Sequence, residues 1–179
     1  MDYGDLLEKL KRYKRIIIGG IQRSGTTYCA YIIAKDLNYQ HVDERKYAMH
    51  DKEKFLRFLQ MEGVVIQNVC HTHIWDLINT KHTIAVWVER DNHDIEKSED
   101  NIGWHPTEFN VEKKKYIDRF GEDVERWSRN APMKKHYWNN MQKHNMSIDY
   151  IEVPYSILKG SSGYIEKEKR LNFRSKQIS

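Results

Sequence analysis

From Gly20 to Thr27 the chain reads Gly-Ile-Gln-Arg-Ser-Gly-Thr-Thr. Two glycines bracketing four residues, with hydroxyl side chains directly after, have the spacing of a phosphate-binding loop, GxxxxG followed by Ser or Thr. Such a loop lets successive backbone amides converge on an anion at a helix N-terminus, where unsatisfied donors and the helix dipole favour negative charge. Thr26 occupies the place of the Walker lysine, so the cation has to come from Arg23 inside the loop. A plain strand-to-helix turn explains the glycines but not an arginine together with Ser24, Thr26 and Thr27. The chemistry to expect is capture of a phosphate-like group by amides, guanidinium and hydroxyls, with Gln22 alongside.

The elements around this loop are spaced to present it at the end of a sheet. Leu6, Leu7, Leu10 and Tyr13 recur at helical spacing behind Asp2 or Asp5, and Arg15 to Gly19 follows as a buried strand. After the loop, Cys29, Ile32, Ile33 and Leu37 line one helix face, and Tyr39 to Val42 reads as a short strand. An amphipathic helix from Asp51 to Met61 turns Phe55, Phe58 and Leu59 inward. Val64 to Gln67 and Thr83 to Val88 are further apolar strands, with a helical turn or two at Ile74 to Ile78 between them. A polar helical region runs from Asn92 to His144. It is interrupted at Gly103 to Pro106 and at Asn130 to Pro132, with Pro132 placed as a helix-start residue. Ile148 to Val153 is a last strand, stopped by Pro154 and followed by a charged helical tail. Apolar strands alternating with helices predict an α/β fold: a P-loop NTPase-like three-layer αβα arrangement with a central, mostly parallel sheet of four or five strands. Ligands of such sheets bind beyond the carboxyl ends of the strands. That rule adds Asp43 and Glu44, Asn68 to His73, and Arg90 to Ser98 to the loop itself.

Gly20-x-x-Arg23-Ser24-Gly25-Thr26-Thr27 resembles the 5′-phosphosulfate loop of the P-loop sulfotransferases, whose donor is 3′-phosphoadenosine 5′-phosphosulfate (PAPS). A second match follows the Thr83 to Val88 strand. In that superfamily a strand ends in Arg, continues as x-Pro-x-Asp and carries Ser eight positions after the Arg. Arg90, Asp94 and Ser98 keep that spacing, and Asn92 stands where the family has proline. The resemblance implies that Arg90 and Ser98 bind the 3′-phosphate, the group that distinguishes PAPS from ATP; a guanidinium fork and a hydroxyl one helical stretch apart can converge on one phosphate. Lys159-Gly160-Ser161-Ser162-Gly163 is similar to the KGxxG loop that touches the same phosphate in cytosolic sulfotransferases. The likeness covers mainly Arg15 to Ser98 and, more faintly, Asp149 to Gly163.

Sulfuryl transfer needs an acceptor oxygen deprotonated as it attacks, and two base candidates sit at strand ends. Glu44 lies 21 residues past Arg23, where tyrosylprotein-type sulfotransferases carry a glutamate, and His73 lies where cytosolic ones carry the histidine of Lys-Thr-His, with His71 replacing the lysine. His71 and His73 at i and i+2 could also face a metal, but spacing fixes no third ligand. Trp104, His105, Trp127, Met133, Tyr137, Trp138 and Met141 form aromatic and methionine stripes in a region, 99–145, that by analogy forms the acceptor pocket or lid.

The expected protein is thus one P-loop sulfotransferase-like domain over 1–179, using PAPS and no metal. Its acceptor would be a hydroxyl on a small molecule, a sugar or a tyrosine. A P-loop kinase explains the glycine loop but neither Thr26 nor the Arg90 and Ser98 pair; Asp43 and Asp91 would hold its Mg²⁺. A non-catalytic nucleotide-binding protein is the third reading. The 30 basic and 26 acidic residues leave a charge of +4, which suits a small anion better than a nucleic acid. Charge is uneven, with six acids and one base between Asp91 and Glu108 and nine bases to five acids between Val111 and Asn145. Cys29 and Cys70 form no CxxC, and no run approaches a membrane span, so a cytoplasmic protein that binds no membrane is expected.

Overall fold

Asp2 accepts from the amide of Asp5 at 2.9 Å while the Asp5 carboxylate accepts from the Asp2 amide at 3.2 Å, a reciprocal capping box that starts α1 (Tyr3–Leu10). The computed structural model describes residues 1–46, 51–103, 106–121 and 130–165. After α1 come β1 (Arg15–Gly20), α2 (Thr26–Leu37), β2 (Gln40–Val42), α3 (Lys52–Phe58), β3 (Val64–Gln67), β4 (Thr83–Glu89), α4 (Asn92–Asp100), α5 (Pro106–Phe120), α6 (Asn130–Tyr137) and β5 (Asp149–Pro154). Short 3-10 turns cover Glu44–Lys46, Thr72–Leu77 and Tyr155–Gly160, and α6 runs on into a π-helical turn, Trp138–Gln142. Pro132 is the third residue of α6 rather than its first, still inside the opening turn whose amides have no intrahelical acceptor.

All five strands are parallel, in the order β2-β3-β1-β4-β5. The central strand β1 matches β4 over six residues, from Arg15 opposite Thr83 to Gly20 opposite Val88. Strand side chains alternate between two buried faces. Ile16, Ile18, Val65, Ile84, Val86 and Val88 meet α1 and α2 on one side, while Ile17, Val64, Ile66, Ala85 and Trp87 meet α3, α4 and α6 on the other. This is an α/β, P-loop NTPase-like three-layer fold, with near-continuous apolar strands because both sheet faces are covered. No helix among the described residues is long and apolar enough to cross a membrane.

Trp75, Trp87 and Trp138, all buried, anchor the second face. Trp87 and Trp138 stack with ring centres 4.4 Å apart and planes 2° from parallel, and Trp75 meets each edge-on. Trp75 needs room at the end of β1: a Cβ on Gly19 would overlap its ring and the Asn68 carbonyl. A glycine there draws the loops after β1 and β3 together, at the carboxyl edge of the sheet.

Candidate active site

Gly25 caps α2 in the left-handed conformation, φ 90°, and Arg23 is also left-handed at φ 68°. A non-glycine residue in that region is held there by its surroundings at a cost of about 1 to 2 kcal/mol. Among the contacts that hold Arg23, its Nε donates to Ser98 Oγ at 3.1 Å, and its carbonyl accepts from Arg90 Nη1 at 3.0 Å. Arg23, Arg90 and Ser98, picked from two separate stretches of sequence, are therefore one cluster. Ser24 is fully buried, and among the described residues its Oγ has no hydrogen-bond partner. Thr26 is buried at the first turn of α2, with Thr27 and Gln22 half-buried beside it.

Beyond Arg90 lies a cavity of about 480 Å³, lined by Arg90, Asp91, Asp94, Lys135, Tyr155 and Lys159 among others. Arg90 Nε approaches Asp94 at 3.7 Å and its guanidinium lies 5.8 Å from the Tyr155 ring centre. The same ring packs on Gly25, where a Cβ would come within 3.0 Å of Cζ and nearer still to Cδ2 and Cε2. Lys159 shares the cavity with Arg90, while Gly160 packs against Tyr3 of α1 instead. Tyr28 of α2 fastens the Lys159 to Gly163 loop, donating to the Gly163 carbonyl at 3.0 Å and accepting from the Ile165 amide at 2.7 Å. Sequence reasoning passed over Tyr155. Its signal was its place at the carboxyl end of β5, the same rule that flagged the other strand ends.

The two base candidates meet at the loop after β3. Glu44 is buried rather than a surface carboxylate, and Arg45 turns to Asp43 at 2.7 Å. Glu44 Oε1 accepts from the amides of Val69 at 2.7 Å and Cys70 at 2.6 Å, and Oε2 from Gln67 at 3.2 Å. Burial pushes its carboxyl above the ordinary range; the bonds from the Cys70 and Val69 amides, and then the charge of Lys134, pull it back. His73, half-buried, has its ring 5.8 Å from that of Tyr116 and 6.0 Å from that of His71, and His71 stacks on Phe55. The helical region clamps this loop. Lys134 donates to the Val69 carbonyl at 3.2 Å, Lys115 to Cys70 at 3.0 Å, Gln142 to Thr72 at 2.7 Å, and Arg119 to His73.

Met133, Tyr137 and Trp138 are fully buried, so that part of the aromatic stripe is core; Trp104, His105 and Trp127 lie outside the described residues. Asp43 and Asp91 stand after β2 and β4, with β3 and β1 between them. At a spacing of ~4.8 Å per strand they are roughly 14 Å apart along the sheet edge, too far to share one ion. Asp91 is occupied as the cap of α4, accepting from the His93 amide at 2.9 Å.

No known protein-family signature matches the chain, and no curated protein matches it. Among solved structures, shikimate kinase from Acinetobacter baumannii in complex with shikimate aligns with it over 96% of each chain, at 10% identity and a TM-score of 0.40. A likeness that distant carries no chemistry from one protein to the other.

Proposed function

We propose that this protein is a P-loop transferase that takes a sulfuryl group from PAPS and passes it to a hydroxyl acceptor. The observation that carries the reading is the Arg23 cluster: the cation of the phosphate loop bonds Ser98 while Arg90 bonds the loop backbone. A phosphosulfate at the loop and a phosphate near Arg90 would then share one rigid frame. In this reading Gly20, Gln22, Arg23, Ser24, Gly25, Thr26 and Thr27 hold the 5′-phosphosulfate, and Arg90, Ser98 and Lys159 hold the 3′-phosphate. Gly160 supports Lys159 from behind.

In the transfer, the acceptor oxygen forms a bond to sulfur as the bond from sulfur to the 5′-phosphate oxygen breaks. Glu44 or His73 takes the acceptor proton, and Arg23 offsets the negative charge gathering on the leaving phosphate. Most of the rate enhancement comes from placing the reactants and from charge arranged in advance. The clamped loop after β3 provides such placement for both bases. The acceptor, a small molecule, sugar or tyrosine, enters beside the 99–145 region. The whole chain acts as one domain in the cytoplasm.

Phosphoryl transfer from ATP, a P-loop kinase activity, is the second reading. It is favoured by the frame itself: a glycine loop on the central strand of a parallel sheet, opening onto α2 with Thr26 and Thr27, serves a triphosphate as well. The two readings part in one experiment. Purified protein is given PAPS, or ATP with Mg²⁺, together with panels of hydroxyl acceptors. Acceptor-dependent release of adenosine 3′,5′-bisphosphate, lost in Arg23→Ala, supports sulfuryl transfer. Turnover of ATP with PAPS inert replaces it with the kinase reading. Binding without turnover of either donor points to a non-catalytic nucleotide-binding protein.

A further inference from the structure

A carboxylate sealed from water is kept ionised by hydrogen-bond donors that touch it and by positive charge nearby. The donors that touch Glu44 are neutral, among them the amides of Val69 and Cys70 and the carboxamide of Gln67. The charge comes from α6. Lys134 has no solvent exposure, and its Nζ donates to the Val69 carbonyl at 3.2 Å. That carbonyl belongs to the same peptide group as the Cys70 N–H, which donates to Glu44 Oε1 at 2.6 Å. One amide therefore stands between ammonium and carboxylate, its oxygen toward Lys134 and its hydrogen toward Glu44. A cation on the oxygen draws electrons through the amide and strengthens its N–H as a donor, as in any chain of linked hydrogen bonds.

We infer that Lys134 is a positioning residue for Glu44: acting through the Val69–Cys70 peptide, it holds the carboxylate ionised and aimed, ready to accept a proton. The inference deepens the proposed function and rests on its assignment of Glu44 as a base. Among the described residues, other charges stand further along the same loop: Lys115 of α5 donates to the Cys70 carbonyl at 3.0 Å, one peptide beyond the Val69–Cys70 link, and Arg119 donates to the His73 carbonyl. Asp43, next to Glu44 along the chain, is paired with Arg45 and faced by His41. From the loop after β3, the Cys70 thiol also donates to Glu44, and the buried His71 ring follows it against Phe55. Neither Asp43 nor the thiol can supply positive charge, and Lys115 bonds the carbonyl of the following peptide, not the one whose N–H meets Glu44.

The test is a pH titration of the Glu44 carboxyl by carbon NMR in glutamate-labelled protein, with the resonance assigned through Glu44→Gln. It needs no substrate. With an ammonium removed from a partly buried site two hydrogen bonds away, Lys134→Met should raise the Glu44 proton affinity by about tenfold, one unit on the pH scale. A midpoint unchanged to within about threefold of proton affinity overturns the inference, since a merely structural lysine would not move it. If Lys134→Met does not stay folded, Glu44→Gln/Lys134→Met decides. With no carboxylate left to balance, the double variant should recover thermal stability over Lys134→Met, and no recovery overturns the pairing. Should the midpoint move while wild-type protein turns over no donor at all, Lys134 still governs Glu44 and it is the proposed function that falls.

Discussion

Replacing Gly25 with alanine strikes the joint between the phosphate loop and the cavity. Two costs arise from the geometry. Gly25 sits at φ 90°, and a side chain in the left-handed region costs about 1 to 2 kcal/mol. Its new Cβ would also overlap the Tyr155 ring, reaching 3.0 Å from Cζ and closer to two other ring atoms. The Arg90 guanidinium, 5.8 Å from the ring centre, also limits where the ring can go. Overpacking of this kind costs about 1 to 3 kcal/mol. The sum is about 2 to 5 kcal/mol, and for a chain of this size each kcal/mol lowers Tm by about 2 to 4 °C, so Tm should fall by roughly 4 to 20 °C. Thermal unfolding followed by circular dichroism reads this directly. A double-mutant cycle with Tyr155→Ala isolates the overlap, because the alanine pair removes it while leaving the backbone cost. The coupling should be about 1 to 3 kcal/mol in favour of the double variant. A Gly25→Ala protein as stable as its parent, or strictly additive effects, would refute the wedge.

Other consequences follow from the same contacts. Ser98→Ala leaves Arg23 without its hydroxyl partner; a bond to a charged group, discounted for partial exposure, is worth about 1 kcal/mol, so calorimetry should find adenosine 3′,5′-bisphosphate bound roughly fivefold more weakly at nearly unchanged Tm. Equal affinity would make the bond incidental and remove Ser98 from the 3′-phosphate site. Trp138→Ala removes a fully buried ring that stacks on Trp87 and donates to Glu152 at 2.6 Å. The loss should be about 3 to 5 kcal/mol, and a change below about 1 kcal/mol by urea unfolding would contradict the packing described for that face. Asp43 offers a test in pH. Burial opposes its charge, yet bonds from the Arg45 guanidinium and amide hold its carboxyl below the ordinary range. A depressed carboxylate adds stability above its unfolded pKa and loses it as pH falls through the native value. Asp43→Asn should therefore lower the unfolding free energy from urea titration at neutral pH by less than about 1 kcal/mol, because Arg45 is half-exposed, with the gap closing in acid. A gap that persists in acid would remove the ion pair as its cause.

The strands were legible because each apolar run is bounded by glycine, proline or charge. Val64 to Gln67 is β3 to the residue, β1 and β4 each run one residue past expectation, and β5 is shifted by one residue at both ends, so that Pro154 closes the strand instead of following it. The loop was legible because glycine spacing reports backbone conformation directly. What the sequence concealed is contact across the fold. That Arg23 bonds Ser98 depends on β1 and β4 being neighbours, a matter of strand order that no local spacing encodes. Glu44 is legible as a strand-end carboxylate and base candidate, but its burial is not, and only the amides after β3 explain it. Lys134 sits in a Met-Lys-Lys-His run, where nothing marks one lysine as buried and the next as lining the cavity. Helix phase decides that, and it is weakly written in a region with few apolar residues.

The most direct test of the account is calorimetric titration of the protein with adenosine 3′,5′-bisphosphate and, separately, with ATP and Mg²⁺, repeated on Arg23→Ala and Arg90→Ala. The account expects the bisphosphate to bind more tightly than ATP and both variants to weaken it by about tenfold or more, as loss of a charge-assisted contact to phosphate should. Preference for ATP, or bisphosphate binding indifferent to Arg90, would contradict the 3′-phosphate assignment and with it the sulfotransferase reading.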